Sequence, residues 1–137
     1  MKKSILGLLG VIGLFLSTVP VAAHHSFAAE FDIDQPITLR GTLVRMDWVN
    51  PHGWIYIEVK NPDGTVTRWA VEAGGATGLL RRGMRKTDFP MGMEVIVDGY
   101  KARSGKPVAN GRSVKTPDGR NFFLGADDTK DAPPPPQ

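Results

Sequence analysis

Two alternating segments flank a turn in ITLRGTLVRMDWVNPHGWIYIEVK, residues 37–60. In residues 37–43, apolar side chains occupy every second position, which is the period of a strand with one buried face. In residues 54–60, Ile55, Ile57 and Val59 repeat that pattern. The composition of residues 50–53, Asn-Pro-His-Gly, is typical of a turn. The sequence therefore predicts two consecutive strands of a meander.

The first of these strands is predicted to bend. Its apolar positions change from odd to even numbers at Leu43 and Val44, shortly after Gly41. Such a change of phase indicates a β-bulge or a sharp coil of the strand just beyond Gly41, since one extra residue moves the following side chains to the other face. A bent strand of this kind is needed to close a small barrel.

The remaining alternating segments complete the predicted fold. Further strands are expected over residues 65–72, 93–100 and 108–115, with a short closing strand at 121–124. Between the third and fourth strands, residues 76–84 place Leu79, Leu80 and Met84 at helical spacing. We predict an all-β domain with one short helix, a five-stranded OB-like Greek-key barrel. A half-open β-sandwich or roll would have the same strand signals.

Segments outside this domain have other compositions. Residues 1–23 have the layout of a bacterial Sec-type signal peptide, with two lysines, an apolar run and small residues before the cleavage point. We therefore expect a periplasmic or secreted protein with no stable membrane anchor after cleavage. Residues 24–36 are predicted to form an N-terminal arm and residues 37–125 the barrel. Residues 126–137 are expected to be a disordered proline-rich tail.

Composition excludes several classes of function. The chain has 137 residues, a formal net charge of +3 and no cysteine. Two of the 17 basic residues lie in the predicted signal peptide, so the 114 residues after it carry a net charge of only +1. Nucleic acid is not an expected partner, because such binding depends on concentrated positive charge. Without cysteine there are no disulfides, catalytic thiols or thiolate metal sites.

Two histidines follow the predicted cleavage point. Cleavage after Ala23 would make His24 the first residue, and its α-amine and Nδ1 would chelate one Cu(II) ion. Cleavage after Ala22 would also leave a terminus that chelates copper. His25 or His52 would supply a further nitrogen, so the candidate metal ligands are His24, His25 and His52. The alternative is that the two histidines merely begin a flexible arm.

His52 lies in the predicted turn, between Trp48 and Trp54. It is either a ligand close to the arm, with the tryptophans covering a soft ion, or a structural turn histidine. Trp48, Trp54 and Tyr56 also form a candidate face for stacking a planar ligand. The competing interpretation is that aromatic residues of the arm, Phe27 and Phe31, cover that face.

A weaker candidate is a Cu(I) site formed by Met46, Met91 and Met93, since thioether sulfur selects that ion. The chain is similar, in predicted architecture and residue types only, to a periplasmic copper/silver chaperone built on an OB barrel. The simpler explanation is that these methionines fill the core.

No constellation of catalytic residues is visible in the sequence. It has no nucleophile elbow, no His-Glu-x-x-His helix and no phosphate-binding loop. Glu58, Glu72 and Asp98 stand as isolated acids on alternating strands. We expect a protein that is not an enzyme. A copper-dependent oxidative enzyme is the weaker alternative, because an N-terminal histidine chelate also serves such catalysts.

Three segments together resemble a family of small exported bacterial proteins of unknown function. They are His-His-Ser-Phe at residues 24–27, Trp-Val-Asn-Pro-His-Gly-Trp at 48–54 and Leu-Leu-Arg-Arg-Gly at 79–83. The resemblance extends to about Leu124 and implies an exported β-barrel domain without an assigned activity. It implies that His24, His25 and His52 are characteristic positions of the family.

Two functional hypotheses follow from the sequence. The first is a small binding domain that captures a copper-type ion with its mature amino terminus, assisted by His52. The second is a metal-free structural or interaction module. Its aromatic strand face would bind a partner protein, an envelope glycan or a small planar ligand.

Overall fold

The computed structural model describes residues 27–125, so the predicted signal peptide, His24, His25 and the proline-rich tail lie outside the described residues. The helices are α1 (Phe27–Glu30) and α2 (Ala76–Arg81), with a 3₁₀ turn at Lys86–Asp88. The strands are β1 (Phe31–Asp47), β2 (His52–Lys60), β3 (Val66–Gly74), β4 (Glu94–Ala102), β5 (Val108–Lys115) and β6 (Asn121–Phe123). The prediction of a β-rich domain with little helix is confirmed. No helix among residues 27–125 is long and apolar enough to cross a membrane.

The strands form one six-stranded sheet in the order β3-β2-β1-β4-β5-β6, and neighbours in this order are antiparallel. In addition, β3 pairs in parallel with β5, from Ala70 opposite Val108 to Glu72 opposite Asn110. Pairing therefore runs from β1 through β2, β3, β5 and β4 back to β1. The short β6 extends the sheet from β5.

The bend predicted in the first strand is confirmed. The register between β1 and β2 shifts between Leu43 and Arg45. Gly41 lies just before this shift, and a Cβ atom there would be 2.6 Å from the carbonyl oxygen of Glu58. Glycine is therefore required where the two backbones approach each other.

The first strand also begins earlier than the sequence pattern indicates. β1 starts at Phe31, whereas alternation predicted a start at Ile37. Phe31 pairs with Ala102, and a register shift separates this pair from the pairing of Pro36 with Tyr100. Because the shift interrupts the two-residue period, alternation does not reveal this part of the strand.

The main core consists of apolar side chains from five strands and the segment around α2. Its buried members are Leu39, Leu43, Ile55, Ile57, Val71, Ala73, Leu79, Met84, Phe89, Val95, Val97, Val114 and Leu124. The predicted helix contributes Leu79, whereas Leu80 is 54% exposed. α2 is shorter than predicted, since Gly83 adopts a positive φ of 83° just after it.

Candidate functional site

The Asn110 side chain lies on the face of β5 that is turned away from the main core. Its neighbour Ala109 is fully buried. On its other side, a Cβ atom at Gly111 would lie 2.7 Å from Val71 Cγ1 and 2.9 Å from Leu124 Cδ1. Successive side chains of a strand point to opposite faces, so Asn110 points outward.

The pairings of Asn110 define a row of side chains on this outer face. Asn110 pairs with Tyr100 of β4 and with Glu72 of β3. Glu72 pairs in turn with Trp54 of β2. Paired residues share a face, so Tyr100, Asn110, Glu72 and Trp54 form one row across four strands, here called the outer row.

His52 joins the outer row through Glu72. It lies two residues before Trp54 and therefore on the same face of β2. His52 Nδ1 is 3.0 Å from Glu72 Oε1, and the two side chains are 34% and 14% exposed. The other carboxylate oxygen, Glu72 Oε2, accepts a hydrogen bond of 3.4 Å from Asn110 Nδ2. Glu72 thus connects the histidine to the centre of the row.

The contact between His52 and Glu72 is short but not aligned. Within residues 27–125, His52 Nδ1 and Trp48 Nε1 are the buried side-chain atoms that make no hydrogen bond. A separation of 3.0 Å is nevertheless a hydrogen-bonding distance. Rotation of an imidazole ring about its last torsion is soft, so a small turn brings Nδ1 into line with Glu72. The Nδ1 side of the ring therefore faces Glu72, and Nε2 is the nitrogen directed away from it.

The turn before β2 is held against the start of α2. Asn50 Nδ2 donates to Thr77 Oγ1, and the Thr77 backbone N–H donates to Asn50 Oδ1, both at 3.2 Å. The Asn50–Pro51 peptide bond is cis. At Gly75 a Cβ atom would lie 2.5 Å from the backbone carbonyl oxygen of Pro51, so glycine is required there. These contacts fix the backbone from which the His52 side chain extends.

The aromatic residues predicted to surround His52 separate. Trp48 packs against the main core, while Trp54 and Tyr56 are half-buried on the outer face of β2. The Arg45 guanidinium lies 4.8 Å from the centre of the Tyr56 ring. Arg45 also donates two hydrogen bonds to Asp47, which lower the pKa of that carboxyl. Of the three residues of the predicted ligand face, Trp54 and Tyr56 remain together on the outer face of β2. The Tyr56 ring is contacted by the Arg45 guanidinium.

Phe27 and Phe31 form a separate apolar cluster with β4. The Phe27 ring lies 5.7 Å from the Phe31 ring and 5.6 Å from the Tyr100 ring, centre to centre. Ala102 and Val108 complete the cluster. The aromatic residues of the arm thus pack on Tyr100 of the outer row, not over Trp54 and Tyr56.

The methionines of the weaker Cu(I) hypothesis have packing roles. Met46 and Met93 pack against the main core, whereas Met91 is 54% exposed. Core packing therefore explains two of the three. Among residues 27–125, no group of three or more His, Cys, Asp or Glu side chains could hold a metal ion. His52 and Glu72 lie close together, and a third His, Cys, Asp or Glu side chain beside them would come from outside this range.

The sequence was compared with models of known protein families, and one model matches. The model of a family described as "Family of unknown function (DUF6152)" matches residues 13–111, well over half of the 137 residues. The chain belongs to this family. The matched range includes His24, His25 and His52 and ends within β5, before the Leu124 limit expected from the resemblance. A search of curated proteins gave no match.

Glu72 and Asn110 were not predicted as site residues. Alternation shows which face a residue occupies, but not which strand lies beside it. Glu72 contacts Asn110 only because β3 pairs with β5, a long-range pairing that crosses α2. Its contact with His52 could have been anticipated from the β2–β3 hairpin, in which Trp54 lies opposite Glu72.

Proposed function

We propose that this protein is an exported, non-enzymatic binding domain that captures a Cu(II)-type ion between its processed amino terminus and His52. The observation that carries the proposal is the position of Phe27. It packs on Tyr100, in the same outer row in which Glu72 contacts His52. The predicted mature terminus, His24-His25-Ser26, directly precedes Phe27.

The ring of strand pairings supports an OB-like Greek-key barrel as the scaffold. Five strands pair consecutively and return to β1, with the parallel β3–β5 pairing after α2 closing the ring. A bulge and a crowded glycine in β1 are the devices that curve a sheet into a barrel. On this interpretation the main core fills the barrel and the outer row lies on its wall.

Simple distances support the participation of the amino terminus. Tyr100 and Glu72 are two strand spacings apart, which is about 10 Å at roughly 4.8 Å per spacing. Three residues, 24–26, precede Phe27, and an extended chain of that length spans about 10 Å. The amino terminus is therefore long enough to reach Glu72 from the Phe27 anchor, and the side chains of His24 and His52 would span the further strand spacing to β2.

The chemistry of the donors suits Cu(II). The α-amine and imidazole of His24 would supply two nitrogens and His52 Nε2 a third. Such nitrogen ligands favour tetragonal copper. The Glu72 carboxylate beside His52 adds negative charge next to the cation.

The first step of the test is mass spectrometry of the exported protein, which identifies its first residue. Cu(II) titration would then compare the form beginning at His24 with a form carrying one extra glycine before it. The same titration would compare His52→Ala with Lys60→Ala, an exposed control at the far end of β2. We expect one-to-one binding that weakens at least about tenfold, or 1.4 kcal/mol, in the extended and His52→Ala forms. Lys60→Ala should bind like the parent.

Three results would contradict the proposal. Unchanged affinity in the extended form would exclude the amine. Unchanged affinity in His52→Ala would exclude the histidine. Absence of Cu(II) binding by the processed protein would favour the metal-free interaction module, with the Trp54 side of β2 as its binding face.

A further inference from the structure

We infer that Glu72, supported by Asn110, is a positioning residue that places the proton of neutral His52 on Nδ1 and leaves Nε2 to bind the ligand. The consequence for copper rests on the function proposed above. The tautomer itself is a property of the metal-free protein.

The first support is the placement of Glu72. Its side chain is only 14% exposed, and its Oε1 faces His52 Nδ1 at 3.0 Å. An ionised carboxylate accepts hydrogen bonds and cannot donate them. The only tautomer of neutral His52 that this neighbour favours is the one with hydrogen on Nδ1.

The second support is the way Glu72 is held. Oε2 accepts a hydrogen bond from Asn110 Nδ2 at 3.4 Å, and Asn110 is 8% exposed. The backbones of Glu72 and Asn110 are paired directly in the β3–β5 ladder. Asn110 therefore limits rotation of the carboxylate and keeps Oε1 turned toward the histidine.

The third support is the state of His52 Nδ1. This atom is shielded from solvent, and within residues 27–125 it has no aligned hydrogen-bond partner. A buried polar atom without a hydrogen bond is uncommon in folded proteins. Ligation of Nε2 would orient the ring, and a turn toward Glu72 would satisfy Nδ1. Histidines that bind metals usually have a carboxylate or carbonyl acceptor at the second ring nitrogen.

The tautomer can be measured directly, without metal. Two-bond ¹H–¹⁵N NMR correlations of the metal-free processed protein, above the titration of its imidazoles, distinguish hydrogen on Nδ1 from hydrogen on Nε2. We expect His52 to carry hydrogen on Nδ1. In Glu72→Ala we expect it to shift toward Nε2–H, the form that predominates in free neutral histidine.

A matched control is Glu58→Ala. Glu58 lies on the same face of β2, but it accepts a 2.6 Å hydrogen bond from Arg68 Nη2. This variant removes one acidic group from the outer face without altering the Glu72 contact, so the tautomer of His52 should be unchanged. Asn110→Ala should give a mixture of tautomers, and it provides a second variant if Glu72→Ala does not fold.

Copper affinity then tests the consequence. Loss of such an outer partner typically weakens metal binding about ten- to a hundredfold, and we expect that range for Glu72→Ala. Glu72→Gln should recover part of the affinity, because its amide oxygen can still accept from Nδ1. Hydrogen on Nε2 in the parent protein would overturn the inference whatever the copper result. Hydrogen on Nδ1 with no effect of His52→Ala on copper would confirm the tautomer and contradict the proposed function.

Discussion

The inner and outer faces of β2, β3 and β5 differ in the polarity of the side chains that are buried on them. On the inner face, Ile55, Ile57 and Val71 are almost completely buried among other apolar side chains. On the outer face, Asn110 and Glu72 are also largely covered, yet they are polar and bond to one another. Burial of polar groups costs free energy unless they are well bonded. The comparison indicates that the inner face provides stability through apolar packing, and the polar outer row is the face to which we assign the proposed binding site.

The largest expected effect is on the inner face. Ile57→Ala should lower the free energy of unfolding by about 2–5 kcal/mol, because it leaves a cavity in the main core. Urea denaturation would measure the loss. Ile57→Val, as the control, should cost only about 0.5–1.5 kcal/mol. Nearly equal, small losses for the two variants would contradict a closely packed interior.

A smaller effect is expected where the arm is anchored to the outer row. Phe27→Ala should cost about 1–2 kcal/mol, because the Phe27 ring is only partly buried. It should also weaken Cu(II) binding severalfold, since the amino terminus loses its anchor. Ile33→Ala, at a position that is 38% exposed, should change neither quantity noticeably. Parent-like copper binding by Phe27→Ala would show that the anchor does not position the terminus.

For His52 we expect a clear separation of stability from binding. His52→Ala should change the free energy of unfolding by about 1 kcal/mol or less, because one hydrogen bond to Glu72 contributes little net stability and Glu72 keeps its bond to Asn110. The same variant is expected to lose copper affinity, as described above. Thermal unfolding of the metal-free protein measures the first quantity. A loss as large as that of Ile57→Ala would give His52, which the structure places at the start of β2 and not in the predicted turn, a structural role.

The smallest expected effect is the pH dependence of stability that comes from exposed ion pairs around Asp118 and Asp88, outside both faces. A hydrogen bond from Thr116 and contacts with Arg120 lower the pKa of Asp118 from 3.8 to about 2. Hydrogen bonds from Arg120 and from the Arg85 backbone also lower the pKa of Asp88.

The sign of the pH effect follows from these shifts. Because the folded carboxyl of Asp118 has the lower pKa, the unfolded chain binds more protons between pH 4 and pH 2, approximately. The stabilisation is therefore complete above about pH 4 and is lost as the pH falls toward about 2. The urea midpoint should fall less steeply over this interval in Arg120→Gln than in the parent. Salt should reduce the difference, since the groups are exposed. Parallel pH profiles at low salt would contradict the ion pairs.

The inner face could be predicted from the sequence because alternation directly reports burial. Ile55 and Ile57 are buried as predicted, whereas Val59 is only partly buried. Of the three residues at helical spacing, Leu79 and Met84 are buried and Leu80 is exposed, and the phase change near Leu43 marked the bulge. The start of β1 at Phe31 was missed, since a register shift breaks its period.

The outer row was only partly predictable. His52 and Trp54 were identified from the composition of the turn and the strand. The partnership of Glu72 with Asn110 depends on the parallel pairing of β3 and β5, which leaves no local signature in either strand. Alternation in the sequence thus predicts the face on which a polar residue lies. Its neighbour on the adjacent strand can be predicted only when the order of the strands in the sheet is known.

The most direct test of a copper site on the outer face is paramagnetic broadening of amide signals. Substoichiometric Cu(II) would be added to the ¹⁵N-labelled protein that begins at His24. We predict that signals of residues 52–54 on β2 and of Glu72 on β3 broaden together with those of the amino-terminal residues. Broadening confined to the amino-terminal residues, with the β2 and β3 signals unchanged, would contradict a site shared with His52.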